Sequence, residues 1–215
     1  MRRRTLAIVG SAAAVVLVGT VLGVGLTRPD PAAPAPTTAT SPATVESACG
    51  LSGTIGDSTA GATNVTWTEV AGRPLPTSTT DGPGVRDAKG PWSCYSRTRS
   101  GAVLAGYVIP LRIGLADDRQ AVIRQQTLPS PGQEVLLSSV PNSSEIVTAR
   151  GFDVAAYSDD ASTIRYRLST ANGEYTCTTD VRWSEGDWRL VVGEDGSTSS
   201  GCVRGVPDEF TPWGP

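Results

Sequence analysis

Three consecutive arginines, Arg2, Arg3 and Arg4, precede a run from Leu6 to Leu26 that carries no charge over 21 residues. As a helix rising 1.5 Å per residue, such a run reaches across a hydrocarbon core of about 30 Å. Basic residues on its N-terminal side favour keeping that end in the cytoplasm. The run therefore reads as a single-pass anchor over residues 6–26, with residues 1–5 as a basic cytoplasmic cap and the rest of the chain outside the cell membrane. The rival reading is a cleaved secretory signal, for which the small residues around Ala32–Ala35 offer a cleavage site. An h-region is usually about 7–15 residues, shorter than this run.

Residues 27–48 are mostly Pro, Ala, Thr and Ser. With almost no apolar bulk to bury, such a segment does not offset the entropy of ordering, and its prolines favour an extended chain. It reads as a disordered linker that carries the following domain clear of the membrane.

Residues 49–215 are long enough for one domain with a real core. The formal charge of the chain is −3 and its N-terminal arginines lie before this domain, so the exterior part is more acidic still. This argues against a nucleic-acid partner, which calls for a basic footprint. Arg165, Arg167, Arg182 and Arg189 do gather in one stretch, either as a positive binding face or as the solvated side of a sheet. Four cysteines stand at 49, 94, 177 and 202, and the chain has no histidine. That pattern gives no support to a zinc cluster, and no metal or cofactor is expected. Outside the membrane, two disulfides are the natural account. Three pairings are possible. Cys49–Cys94 with Cys177–Cys202 is favoured, because each bond then closes a loop within one part of the domain.

Helical and extended patterns occupy different halves. Residues 50–93 read as a wrapping segment with one strand near 65–70, and Trp92 is expected to pack near the disulfide. Ala102–Ile109 is apolar and helical in character, and Pro110 is expected to bend or end that helix for want of an amide proton. A second helix is expected from Asp118 to about Gln125. A third starts with Ser130 as N-cap, Pro131 at N1 and Gln133 at N3, carries Val135, Leu136 and Leu137 toward the core, and ends before Pro141. The period then changes to two. Phe152, Val154 and Ala156 share a face, as do Ile164, Tyr166 and Leu168, then Tyr175 through Trp183 at alternate positions, then Trp188, Leu190 and Val192. Turns are expected at Ser158–Ala161, Asn172-Gly173 and Ser184–Asp187. The result is an α+β domain: about three helices packed on a curved antiparallel meander of four strands. Phe210 and Trp213 of the tail are expected to dock on it.

Several stretches read together carry a resemblance: Ala48-Cys49-Gly50-Leu51, Cys94-Tyr95 leading to Ser100–Ala105, Gln125-Gln126-Thr127 with Pro131-Gly132, Gly151-Phe152 with Tyr157-Ser158, Val181-Arg182-Trp183 with Gly186–Leu190, and Phe210–Gly214. In these the chain resembles a family of uncharacterised actinobacterial membrane-anchored proteins often found among mobile-element genes. The order of helices then strands is also similar to the NTF2-like exterior domains of conjugative-transfer scaffold proteins. The second resemblance implies an assembly or adaptor role in a conjugation or secretion apparatus. Neither implies catalytic residues.

The functional expectation is a tethered structural or adaptor domain that binds a protein partner or a second copy. Its candidate surface is the sheet concavity, with Tyr157, Tyr166 and Trp183 as contacts beside Arg165, Arg167 and Arg182; the alternative for the aromatics is simply the core. The absence of histidine excludes Ser-His-Asp and Cys-His catalysis. Asp153, Asp180, Glu185 and Asp187 are the acids available for carboxylate chemistry, with Glu185 and Asp187 expected to be solvated in a turn, and no enzyme activity is expected. The other reading is a cell-envelope ligand-binding module, which calls for a closed apolar pocket of several hundred Å³.

Overall fold

The computed structural model describes residues 44–46, 49, 51–54, 59–140, 146–205 and 209–215. These lie in one compact unit spanning Ser41–Pro215. The anchor expected at 6–26 and most of the expected linker lie outside the described residues. Among the described residues no helix is long and apolar enough to cross a membrane.

The architecture is α+β. Two short hairpins open it, β1 (Thr44–Glu46) with β2 (Ser52–Thr54), and β3 (Thr66–Val70) with β4 (Arg73–Thr77), separated by a single helical turn, α1 (Ala60–Thr63). A third small pair, β5 (Val85–Arg86) and β6 (Trp92–Ser93), leads into three helices: α2 (Arg99–Leu115), α3 (Arg119–Gln126) and α4 (Pro131–Ser138). The chain then lays down β7 (Thr148–Ser158), β8 (Ala161–Thr170), β9 (Gly173–Ser184) and β10 (Asp187–Leu190) as an antiparallel meander. Two tail strands complete this sheet. β11 (Gly201–Arg204) pairs with β9, and β12 (Thr211–Pro212) pairs with β7.

The expected strand near 65–70 is β3, but its partner β4 is invisible to pattern reading because it contains Pro74 and Pro76. The register places both prolines two residues apart, opposite Glu69 and Trp67. Prolines at alternate positions of an edge strand turn their missing donors away from the ladder. Ala71 (φ 48°) and Gly72 (φ 76°) close this hairpin in the left-handed region that a two-residue turn requires.

Helix α2 is the centre of the domain. Ser100 to Ile109 are all buried, and Ala102, Val103, Leu104, Ala105, Val108 and Ile109 have no exposed surface. A helix apolar all round is buried all round. The sheet packs on one side of it, and β4, α1 and α3 contact it elsewhere. Of the two expected outcomes at Pro110, the helix does not end there: it runs on to Leu115. The proline deprives the Gly106 carbonyl of its donor, a cost of about 3 kcal/mol in an exposed helix. Beyond it, Ile113 is buried again and the Arg112 guanidinium donates to the carbonyls of Asp87, Ala88 and Gly90. The turn after the proline thus has its own partners, and they hold it helical. Gly106 faces the sheet, where a Cβ would stand 2.6 Å from the Tyr166 hydroxyl. Only glycine allows that approach.

The helix starts follow their sequence signals. Thr98, Asp118 and Ser130 accept from the amides of Gly101, Ala121 and Gln133, each at its N-cap. In α4 only Leu136 of the three expected core residues is buried; Leu137 is half-buried and Val135 is exposed.

One register detail corrects the expected faces. β7 carries an irregularity between Val154 and Ala156. A bulge puts an extra residue on one strand and shifts all later side chains to the other face. Val154 stays opposite the buried Ile164, but Ala156 turns outward opposite Thr163, and Tyr157 takes the inward place opposite Ser162. At the β8–β9 hairpin the positive φ belongs to Gly173 and not to Asn172. Both favoured disulfides are formed, Cys49–Cys94 and Cys177–Cys202.

Candidate functional site

Pairing decides which expected contacts face outward. Tyr166 lies opposite Phe152 and Cys177 on the helix-facing side of the sheet. It is 2% exposed, its ring is 5.6 Å from that of Tyr107, and its hydroxyl donates to the Val103 carbonyl at 2.7 Å. Burial pushes its phenol well above the ordinary range. Tyr166 is therefore a core residue, and its expected role as a surface contact is corrected. The sheet concavity is occupied by α2 itself.

Tyr157 and Trp183 are half-buried at the rim of the same end. Both lean on the buried Trp188, at centroid distances of 6.3 and 5.5 Å. Two arginines cover them from the start of α2: the Arg99 guanidinium stands 5.2 Å from the Tyr157 ring and that of Arg97 stands 5.5 Å from Trp183. Arg97 also pairs with Asp160 in the β7–β8 turn.

The three expected arginines lie on the opposite, outward face. Arg165 pairs with Asp153, donating through Nε at 2.8 Å, and Arg167 pairs with Glu174 at 2.7 Å. Thr163 donates to Asp180 across the same face. These are cross-strand pairs with one polar side to water, which accounts for most of the arginine cluster as a solvated face. Arg182 is exposed and makes no ion pair with any described residue. Rim and outward face meet in one open groove of about 460 Å³, lined by Tyr157, Thr163, Asp180, Arg182 and Val191 among others. Tyr157 and Arg182, one from each expected group, share this groove; Arg165 and Arg167 do not line it.

The acids considered for catalysis all have partners. Glu185 pairs with Arg189, Asp153 with Arg165, and Asp180 accepts from Thr163. Asp187 is the clearest departure from expectation. Its carboxylate accepts from the backbone amides of Cys94, Tyr95 and Trp188 at 2.8–2.9 Å. Desolvation raises its pKa; the three amides and the Arg189 charge oppose the shift. The residue thus ties the β9–β10 hairpin to the segment that bears Cys94, whose φ of 71° is rare for a side-chain-bearing residue. No signal in a Ser-Glu-Gly-Asp turn distinguishes this role from solvation, because its partners are 92 and 93 residues away.

Two further polar centres escaped sequence reading. Arg112, 1% exposed, stacks on Trp92 at 5.3 Å and binds carbonyls of the 87–90 loop; burial lowers its pKa, with Asp87 acting the other way. Asp81 is buried, and its carboxylate accepts from the hydroxyls of Thr80, Ser96 and Thr98. Both organise loops that precede α2. Among the described residues, no three His, Cys, Asp or Glu side chains are placed to hold a metal ion.

A search of curated proteins and a search of solved structures each give no match. The sequence profile of one family, described as Domain of unknown function (DUF8175), matches residues 29–212. That match takes in the whole meander, all four cysteines and both tail strands up to Pro212, so the chain belongs to the DUF8175 family.

Proposed function

We propose that this protein is a membrane-tethered exterior adaptor whose working surface is the groove between the aromatic rim and the outward face of the central sheet. The observation that supports this reading is the convergence of Tyr157, Thr163, Asp180 and Arg182 on one open groove. An exposed arginine and a carboxylate in an open groove suit a polar protein segment, since arginine is a favoured anchor at interfaces. Two disulfides suit the exterior placement expected from the N-terminal sequence. Three helices followed by a meander is the layout on which the NTF2-like reading rests, and with it a place in a conjugation or secretion apparatus. Fold alone never assigns function, so the groove and not the layout carries the proposal.

The test is site-specific photocross-linking of the full-length protein in its own membrane. A photoreactive residue replaces Arg182 in one sample and Val135, on the exposed side of α4, in another. The proposal expects a discrete protein adduct from position 182 that position 135 does not give. Adducts of glycan or lipid alone from position 182 would refute the adaptor and favour the envelope ligand-binding module.

A further inference from the structure

The cystine Cys177–Cys202 sits where a thiol–disulfide exchange would move a whole strand. β11 pairs with β9 over four residues, with Cys202 directly opposite Cys177. All four residues of β11 are exposed, Val203 at 64%. The strand therefore gains almost nothing from burial. Besides the ladder it is held at its ends by surface contacts: Ser200 bonds the Thr178 carbonyl, Gly205 the Glu174 carbonyl and Thr176 the Gly205 carbonyl, while Arg204 bonds the Asn172 carbonyl and the Tyr175 hydroxyl and lies over the Tyr175 ring. The segment before it is held independently of β11: the Gly193 amide bonds the Ser197 carbonyl, the Gly196 amide the Gly193 carbonyl and the Ser197 amide the Asp195 carboxylate, so release of β11 begins after this turn. Beneath β11 lies the edge of β9 from Tyr175 to Thr178, one of the longest strands of the sheet.

The other disulfide is placed differently. Its Cys49 end is exposed, as Cys202 is, but Cys94 is 3% exposed and its backbone amide is held by Asp187 independently of the sulfur bond. Breaking Cys49–Cys94 leaves the Cys94 segment anchored; breaking Cys177–Cys202 removes the one covalent tie of a strand with no buried side chain.

We propose that Cys177–Cys202 is an exchange site for an exterior dithiol, and that its reduction releases β11 from β9. A thiolate of the dithiol attacks Sγ of Cys202 and forms a mixed disulfide. The electron pair of the broken S–S bond goes to Cys177, which takes up a proton. The second thiol of the dithiol then attacks its own partner sulfur and frees Cys202 as a thiol. The cystine gains two electrons and two protons, and the dithiol becomes a cyclic or intramolecular disulfide. Release uncovers the backbone edge of β9, the kind of edge that proteins otherwise keep covered.

The experiment is a dithiothreitol titration of the folded full chain, with alkylation and peptide mass spectrometry to identify the freed cysteines, and hydrogen exchange read in parallel. The expected result is alkylation of Cys177 and Cys202 at concentrations that leave Cys94 unlabelled. Exchange over 174–178 and 201–204 should quicken roughly tenfold to a hundredfold, as for a segment moved from cooperative to local opening, with far-UV circular dichroism unchanged. Labelling of Cys94 at the same concentration, reduction without faster exchange, or reduction only upon loss of the whole dichroism signal each overturns the proposal. The Cys177→Ser/Cys202→Ser variant should exchange quickly in these segments without reductant; wild-type protection in a folded double variant would also overturn it. The titration on the native protein decides the matter if that variant does not fold.

Discussion

Replacing Trp213 by alanine tests whether the C-terminal tail belongs to the core or merely lies on it. Trp213 is 5% exposed, and its ring centroid lies 5.0 Å from Trp67, 5.1 Å from Tyr107, 5.5 Å from Phe152 and 6.2 Å from Tyr166. Its indole Nε1 donates to the Ala62 carbonyl at 2.7 Å. The side chain thus joins the β3–β4 hairpin, α1, α2 and the sheet at one point. Burying about 200 Å² at about 25 cal/mol per Å² gives an upper bound near 5 kcal/mol. Truncations of buried tryptophan cost about 3–5 kcal/mol when the cavity does not collapse, and the orphaned carbonyl adds about 1 kcal/mol. The expected loss for Trp213→Ala is therefore about 4–6 kcal/mol, with Trp213→Phe losing about 1–2 kcal/mol because it keeps most of the ring. Equilibrium urea unfolding followed by far-UV circular dichroism, with disulfides intact, measures both. A loss below about 1 kcal/mol at unchanged m-value would refute the reasoning. It would mean that the tail undocks before the core unfolds and that the other four aromatics hold their arrangement without it.

The buried Asp187 carboxyl gives a second prediction. Its pKa is raised by burial, so the folded state holds its proton to higher pH than the unfolded chain does, and its contribution to stability grows as pH falls through the raised value toward the ordinary 3.8. The difference in unfolding free energy between wild type and Asp187→Asn should vary with pH over that acid window and be flat above it; a pH-independent difference would contradict the assignment. At neutral pH the variant should be less stable by about 1–3 kcal/mol, since the asparagine side chain presents a donor where the Cys94 amide needs an acceptor. Burial pushes the Tyr107 phenol up to about 12, against the opposing effect of the nearby Ala149 backbone. The unfolded chain loses this proton near pH 10, so stability should fall between pH 10 and 12 by roughly 2–3 kcal/mol from this group. Alkaline unfolding curves of wild type and Tyr107→Phe should separate in that range and coincide below it. Finally, Gly106→Ala should destabilise by about 1–3 kcal/mol despite a better helix propensity, because its Cβ meets the Tyr166 hydroxyl. A double-mutant cycle with Tyr166→Phe should show coupling of at least about 0.5 kcal/mol, and strict additivity would exclude that contact as the cause.

The parts of the fold legible in the sequence are those fixed within a few residues. The N-cap at Ser130 announces α4 because a short side chain and an amide three residues on satisfy each other locally. Period-two alternation announces β7 to β10, and the length and order of these elements give the α+β class. The anchor and linker readings rest on composition at residues 6–26 and 27–48. Local rules mislead at Pro110, where the buried surface of α2 and the Arg112 bonds outweigh the missing amide proton. They also mislead at Ala156 and Tyr157, where a bulge reverses the faces after Val154.

The candidate groove was only half visible. Tyr157 and Arg182 are among the residues expected at a surface, yet nothing in the sequence separates Tyr157 from Tyr166, which has the same chemistry and lies in the core. Alternation assigns a side chain to one face or the other, but which face a helix covers depends on how α2 docks. Sequence by itself determined α2, α3, α4, the four strands of the meander and the cysteine inventory, because those show in local periodicity and in neighbours within one turn. Only the tertiary structure decided the buried roles of Asp187 and Arg112, the partners on which Trp213 docks and the exposure of the Cys177–Cys202 strand. Their partners lie from 22 to 151 residues away in the chain, and burial and desolvation arise only when those distant groups meet.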